Sequence, residues 1–249
     1  MRKDRPSPSS SKGTWLYGFH AVRAALNNPD RQKLRLMVRD EKILGMLPKL
    51  PPKLQVEIVD KNTFITLLGR EAVHQGVALL SANLPALALE DILPTLEDNA
   101  LLIILDEVTD PHNVGAILRS TAAFGASAVV MTAHNSPAEE SGILAKTASG
   151  ALEGIPLIRV TNLVRSIQYL QSQGFWIYGL DEEGGSSVHQ LKLNGRIGLV
   201  FGAEGEGIRR LTRETCDGLL RLPTLATFAT LNVSTSVAVA LYEWRRQNL

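Results

Sequence analysis

The stretch ALLIIL, residues 100–105, has no polar side chain and stops abruptly at Asp106, in ALLIILDEVTDPHNVGAILRS. A strand with one face in water alternates apolar and polar residues, so an unbroken apolar run is buried on both faces. Helices must then cover both sides, which is the arrangement of a parallel sheet in an α/β domain. The pattern recurs through the C-terminal half. Apolar runs in SAVVMT, IPLIRV, FWIYGLD, RIGLVFG and GLLRLP alternate with helical periodicity in NVGAILRSTAAF, AEESGILAKTAS, NLVRSIQYLQSQ, GIRRLTRETC and LNVSTSVAVALYEWRRQ. Residues 99–249 are read as one parallel α/β domain.

A smaller alternation precedes it: a helix in LYGFHAVRAALNN, strands in RLMVRD and QVEIVD, a helix in NTFITLLGR and a strand in GVALLSA. Residues 14–84 are therefore expected to form a small α/β domain of their own. Two prolines in NLPALALEDILPTLEDN mark residues 85–98 as a linker carrying a short helix. Residues 1–13, charged and rich in Ser and Pro, read as a disordered basic arm without the apolar segment of a secretory signal. Hydrophobic residues make up 45% and charged residues 20%, with no run suited to a membrane span. The single cysteine, Cys216, excludes an internal disulfide and suits a reducing cytoplasm. A net charge of +1 does not advertise a nucleic-acid partner. Its distribution leaves one open, through Arg2, Lys3, Arg5 and Lys12, through Lys33, Arg35 and Arg39, and through Arg209, Arg210 and Arg213. These are either ordinary solvated surface or, if they converge on one face, an RNA footprint.

Three stretches in the second domain carry chemistry. In DEVTDPHNVGAILRS, at a strand end where a phosphate loop would be glycine-rich, there is one glycine, Gly115, and instead Asn113 and Arg119. Asn113 is placed either to cap the following helix or to serve a ligand. Arg119, flanked by Ile117 and Leu118, needs an anionic partner such as a phosphate, and Gly115 admits a close approach to the first turn. In GLVFGAEGEGI the spacing GxxGxG and two acids speak against a dinucleotide or phosphate cradle. Glycine-freed backbone N–H groups there suit an adenosine or a methionine-like tail, and Glu204 is positioned to orient Arg119. In RLPTLATFATLNVSTSVAVALYEW, Thr230 or Asn232 caps a helix whose Val233, Val237, Leu241 and Trp244 face the core.

In this order the stretches DEVTDPHNVGAILRSTAAFGA, LVFGAEGEGI and LPTLATFATLNVSTSVAVALYE resemble the three motifs of the SpoU-type (TrmH-like) RNA ribose 2′-O-methyltransferases of the SPOUT superfamily. WLYGFHAVRAAL with HQGVALL is similar to the small substrate-binding domain of the rRNA-methylating branch. The resemblance implies a C-terminal parallel-sheet domain with a deep trefoil knot, S-adenosylmethionine as cofactor, no metal, and a homodimer. It implies RNA as partner, rRNA favoured over tRNA and a 23S guanosine as target, with neither DNA nor membrane. By matching positions, Asn113, Arg119, Glu204, Thr230 and Asn232 are the catalytic set, and Gly202, Leu222 and Leu231 contact the cofactor. Thr230 stands where family members typically carry serine, and Ala226 and Thr224 where glycine and methionine are common. A tRNA methyltransferase and a non-catalytic RNA-binding protein on the same fold are the alternatives; a Rossmann enzyme fails for lack of a phosphate loop.

Overall fold

The computed structural model describes residues 13–134, 137, 141–225, 227 and 230–249. The basic arm and Ala226 lie outside the described residues. Chain contacts separate two compact units at Leu84/Pro85.

In the first unit β1 (Thr14–Tyr17), α1 (Phe19–Asn27), β2 (Lys33–Val38), α2 (Glu41–Gly45), β3 (Gln55–Ile58), α3 (Lys61–Leu68) and β4 (Val77–Ser81) build a mixed sheet of order β1-β4-β2-β3. The sequence reading merges β1 into the first helix. Gly18 separates them, because its φ of 88° turns the chain sharply between Tyr17 and Phe19. The helix α2 escapes periodicity because it is five residues long and buries none of them. Phe64 of α3 is fully buried and stacks on His74, with ring centroids 4.3 Å apart. The Gly76 N–H donates to His74 Nδ1 at 3.0 Å, which fixes a neutral imidazole. Burial pushes the His74 pKa down, and Arg39 and Lys61 push it the same way.

The second unit begins with α4 (Leu89–Ile92) and a 3₁₀ turn (Leu93–Thr95). This stretch, read from sequence as a linker, puts Leu89, Ile92 and Leu93 into the core cluster of the sheet. Then follow β5 (Ala100–Asp106), α5 (Pro111–Phe124), β6 (Ala128–Thr132), α6 (Gly142–Ala148), β7 (Leu157–Val160), α7 (Leu163–Ser172), β8 (Trp176–Leu180), β9 (Ser186–Ser187), β10 (Arg196–Gly202), α8 (Arg210–Thr215), β11 (Gly218–Arg221) and α9 (Val233–Gln247). The seven strands are parallel throughout, in the order β7-β6-β5-β10-β8-β11-β9. Every residue of β5 is buried, as its composition requires. Leu102, Ile104, Val130, Ile177 and Val200 meet Leu163, Ile167 and Leu170 of α7 on one face. Their sequence neighbours Leu101, Ile103 and Leu105, equally buried, point to the other face, and there α5 packs between α6 and α9.

Caps fix where these helices start. Asp110 accepts from His112 N, Ser141 from Leu144 N and Asn162 from Arg165 N, and Gly125, at φ 76°, closes α5. From β5 the chain steps outward to β6 and β7, then returns to the other side of β5. The order thus reverses between β5 and β10, and crevices at such reversals, beyond the carboxyl ends of the strands, are where open parallel sheets bind ligands.

Gly115 does not wait for a ligand. A Cβ there would lie 2.7 Å from Thr147 Cβ and 2.8 Å from Leu144 O, so the close approach is by α6 of the same chain. Gly115→Ala is expected to destabilise by about 1–3 kcal/mol through overpacking, read as a lower urea midpoint. His74 gives a pH signature. Its folded pKa lies below the unfolded value, so its stabilisation is present above about pH 6.5 and is lost as the pH falls toward the folded value. The gap in urea midpoint between the native protein and His74→Gln is expected to narrow on acidification; a gap that widened would contradict this.

Candidate active site

Gly202, the last residue of β10, pairs in register with Asp106, the last residue of β5. Each strand then hands on to a loop bearing one of the expected residues. After β5 the chain passes Glu107, at φ 57°, and reaches Asp110, whose carboxylate caps α5. Pro111 occupies the first helical turn, where its missing N–H costs nothing. Asn113 therefore does not cap this helix, contrary to one reading of the sequence. It sits inside the first turn with its amide available elsewhere.

After β10 the chain folds into a tight loop. The Gly207 N–H donates to Ala203 O at 2.9 Å, and Gly205 and Gly207 take φ values of 83° and 68°, open to glycine at little cost. A side chain at Gly202 would overlap the backbone of Gly207 and Ile208, so the loop can lie down on the strand end only because that residue is glycine. The loop presents Glu204, exposed, at its tip.

The third segment is the start of α9. Asn232 is its cap: Oδ1 accepts from Ser234 N at 2.8 Å, from Ser234 Oγ at 2.6 Å and from Thr235 N at 3.4 Å. With the oxygen committed to the helix, the Nδ2 group faces outward. It donates to Glu204 Oε1 at 2.6 Å and to Asn113 Oδ1 at 2.9 Å, while Asn113 Nδ2 donates to the same Glu204 oxygen at 2.9 Å. Two amides, one in the first turn of α5 and one at the cap of α9, and a carboxylate on the loop after β10 thus close a triangle. Both N–H groups of Asn232 and one of Asn113 are engaged in it, and Glu204 Oε2 has no hydrogen bond among the described residues.

The other expected residues are placed differently. Arg119 is exposed on α5, and among the described residues it forms neither a hydrogen bond nor an ion pair. The expected orientation of Arg119 by Glu204 is not seen: among the described residues the carboxylate bonds the two amides, through one oxygen, and not the guanidinium. Thr230 is exposed and Leu231 is 38% exposed, both directly before the Asn232 cap, while Leu222 is half-buried just past β11. Gly202, Leu222 and Leu231 all lie at the carboxyl end of the sheet or at the start of α9, but no described hydrogen bond joins their side of the site to the triangle.

Sequence reasoning gave Asp106 no role. It is fully buried and accepts from Arg209 N at 3.0 Å and Arg209 Nε at 2.8 Å, with a further contact to the guanidinium at 2.6 Å. Arg209 also meets Glu107 at 2.8 Å, and the bond to Asp106 raises its already high pKa. The available signal was a carboxylate ending a wholly apolar strand, which requires a cation. Its neighbours are paired as well: Arg210 with Glu214, Arg213 with Asp181 and Glu183. In the first unit Arg35 pairs with Glu57, Arg39 with Asp40, and Lys33 donates to Asn28 O. Both described basic clusters are thus largely engaged within the chain.

Among the described residues no cluster of His, Cys, Asp or Glu is arranged to hold a metal ion, and no helix is long and apolar enough to cross a membrane.

Residues 100–242 match the family described as SpoU rRNA Methylase, and residues 15–85 the one described as RNA 2′-O ribose methyltransferase substrate binding. A 23S rRNA (guanosine-2′-O-)-methyltransferase RlmB from Xanthomonas campestris pv. campestris is 38% identical over 96% of this chain and 99% of its own length. The protein of the same description from Escherichia coli K12 is 39% identical over 93% and 98%. Among solved structures, the SpoU methyltransferase AviRb from Streptomyces viridochromogenes, in complex with AdoMet, superposes with a TM-score of 0.81 at 19% identity, covering 95% of this chain and 91% of that one. At that identity the likeness speaks for the fold.

The double use of Asn232 yields a test. Asn232→Ala is expected to cost about 1 kcal/mol for the lost cap at every pH. Asn232→Asp keeps the cap but sets a second carboxylate against Glu204, raising the pKa of the pair. Its deficit should be full near neutrality and shrink as the pH falls through the carboxylate range. Parallel pH profiles for the two variants would contradict the triangle.

Proposed function

This chain belongs to the SpoU rRNA methylase family, and on that premise we propose that it methylates the ribose 2′-hydroxyl of a guanosine in 23S rRNA, with S-adenosylmethionine as donor. The observation that carries the reading is relatedness along nearly the whole chain, both domains included, to proteins described as 23S rRNA guanosine-2′-O-methyltransferases. The amide–carboxylate triangle at the strand reversal supports it.

Bound S-adenosylmethionine supplies a methyl group on a positively charged sulfur, already a good leaving group. What remains for the protein is to align the 2′-oxygen, help its proton depart and exclude misaligned approaches. In our reading Gly202, Leu222 and Leu231 hold the cofactor, largely through backbone. Asn113, Glu204 and Asn232 fix the ribose, with Glu204 Oε2 as the acceptor left over for a hydroxyl. Arg119, a cation without a partner among the described residues, binds the phosphate beside the reacting ribose and favours loss of the 2′ proton. A guanidine acting as the base itself would first have to become neutral, which a guanidinium strongly resists. Thr230 supplies a hydroxyl in the position of the family's serine, with a methyl that stiffens it. The first unit grips the RNA around the target.

The same reading includes the family's trefoil knot and its homodimer. Val239 and Tyr242, 40% and 58% exposed and three residues apart on α9, offer apolar surface for a second copy. An enzyme of ribosomal RNA belongs in the cytoplasm, where ribosomes are made.

The test is transfer of labelled methyl from S-adenosylmethionine to RNA from cells lacking this protein, with rRNA and tRNA assayed separately. Label is expected on a ribose of 23S rRNA; label confined to tRNA would overturn the substrate, and none in either would leave a binding protein. Arg119→Ala is expected to lower transfer at least about 100-fold, the scale of a lost transition-state contact, with cofactor affinity unchanged. Loss of cofactor binding in that variant would sink its assignment to the RNA side.

A further inference from the structure

We propose that Asp106 and Arg209 are positioning residues for methyl transfer, a clamp that holds the Glu204 loop at the distance the two amides require. This rests on the reading of Glu204 as part of the reactive site. Asp106 has no exposed surface, and a buried carboxylate is stable only with its lone pairs answered. Among the described residues the donors to its side chain all come from Arg209: the backbone N–H at 3.0 Å, Nε at 2.8 Å and the second guanidinium nitrogen at 2.6 Å.

The placement of this pair gives it a role beyond stability. Gly202, where the loop leaves the sheet, lies beside Asp106 in strand register, and Arg209, where the loop meets α8, is bonded to Asp106. One side chain therefore closes residues 203–208 into a ring. The other end of the guanidinium reaches Glu107 at 2.8 Å, the first residue of the segment that leads to Asn113. The clamp thus ties the segment carrying Asn113 to the loop carrying Glu204. Glu204 Oε1 must accept two N–H groups at 2.6 and 2.9 Å, and a shift of the loop by less than an ångström, on the order that separates a hydrogen bond from none, would break one of them.

Arg209→Lys separates positioning from folding, since it retains a cation and the backbone N–H while removing the planar fork. The single-turnover rate of labelled methyl transfer to rRNA, at saturating S-adenosylmethionine, is measured for Arg209→Lys in the native protein and in Glu204→Gln. A loss of about tenfold or more is expected in the native background and of less than about twofold when Glu204 is already changed, because residues acting through one another are not additive. Equal losses in both backgrounds, or no loss in the first, would overturn the proposal. Asp106→Asn should follow the same pattern.

Hydrogen exchange reads the clamp without any chemistry. The amides of residues 203–208 are expected to exchange faster in Arg209→Lys while those of β5 do not; unchanged exchange in the loop would overturn the clamp. Failure of the native protein to methylate RNA would count against the methyltransferase reading, and the exchange experiment would still judge the clamp.

Discussion

The parallel pairing of β5 with β10, seven residues in register from Ala100–Arg196 to Asp106–Gly202, sets the position of everything at the site. Both strands are apolar through their middle, so burial on two faces holds them with little tolerance for slippage. A shift of one residue would turn every side chain to the opposite face. Register in turn decides that the two strands end side by side, and that the loops leaving them start a strand spacing apart, about 4.8 Å. Asn113 and Glu204 meet because of this, although 91 residues separate them.

Within that frame, local rules of helix capping do a second service. An asparagine that caps a helix commits its oxygen to the first turn and leaves its two N–H groups pointing away. At α9 those groups find Glu204 and Asn113. Asp110, by taking over the cap of α5, leaves the Asn113 amide for the same triangle. Helix geometry thus orients the polar groups more rigidly than free loops would, and substrate alignment by hydrogen bonds depends on such fixed donors and acceptors.

The strand-and-helix order of the second unit was legible because two-faced burial leaves so strong a mark on composition, as in ALLIILD and GLVFG. What sequence could not convey were choices settled by distant neighbours. Asn113 and Asp110 are both good caps; Asp110 serves, and Asn113 is engaged by Glu204 and Asn232, 91 and 119 residues away. Gly115 reads as room for a ligand until α6 is seen against it. Arg209 looks like one member of a basic cluster, yet its partner Asp106 lies 103 residues earlier. The strand β1 was hidden because its four residues run into a helix with only Gly18 between them, and β9 because two residues carry no periodicity. The site residues carry no periodic signal of their own, and only the resemblance of three ordered stretches to a family's motifs points to them.

The wide separation of the triangle's members also bears on when the site can exist. Asn113 and Asn232 are 119 residues apart, and Asn232 comes after all seven strands of the second sheet. A chain emerging from the ribosome can form the first unit early, from contacts within its first 84 residues. It cannot pair β10 with β5 until residue 202 has been made, or bring the cap of α9 to Glu204 before Asn232 has been made, and such long-range pairings are the slow ones in folding. The first unit can therefore form well before the second, whose triangle depends on its latest-made segments.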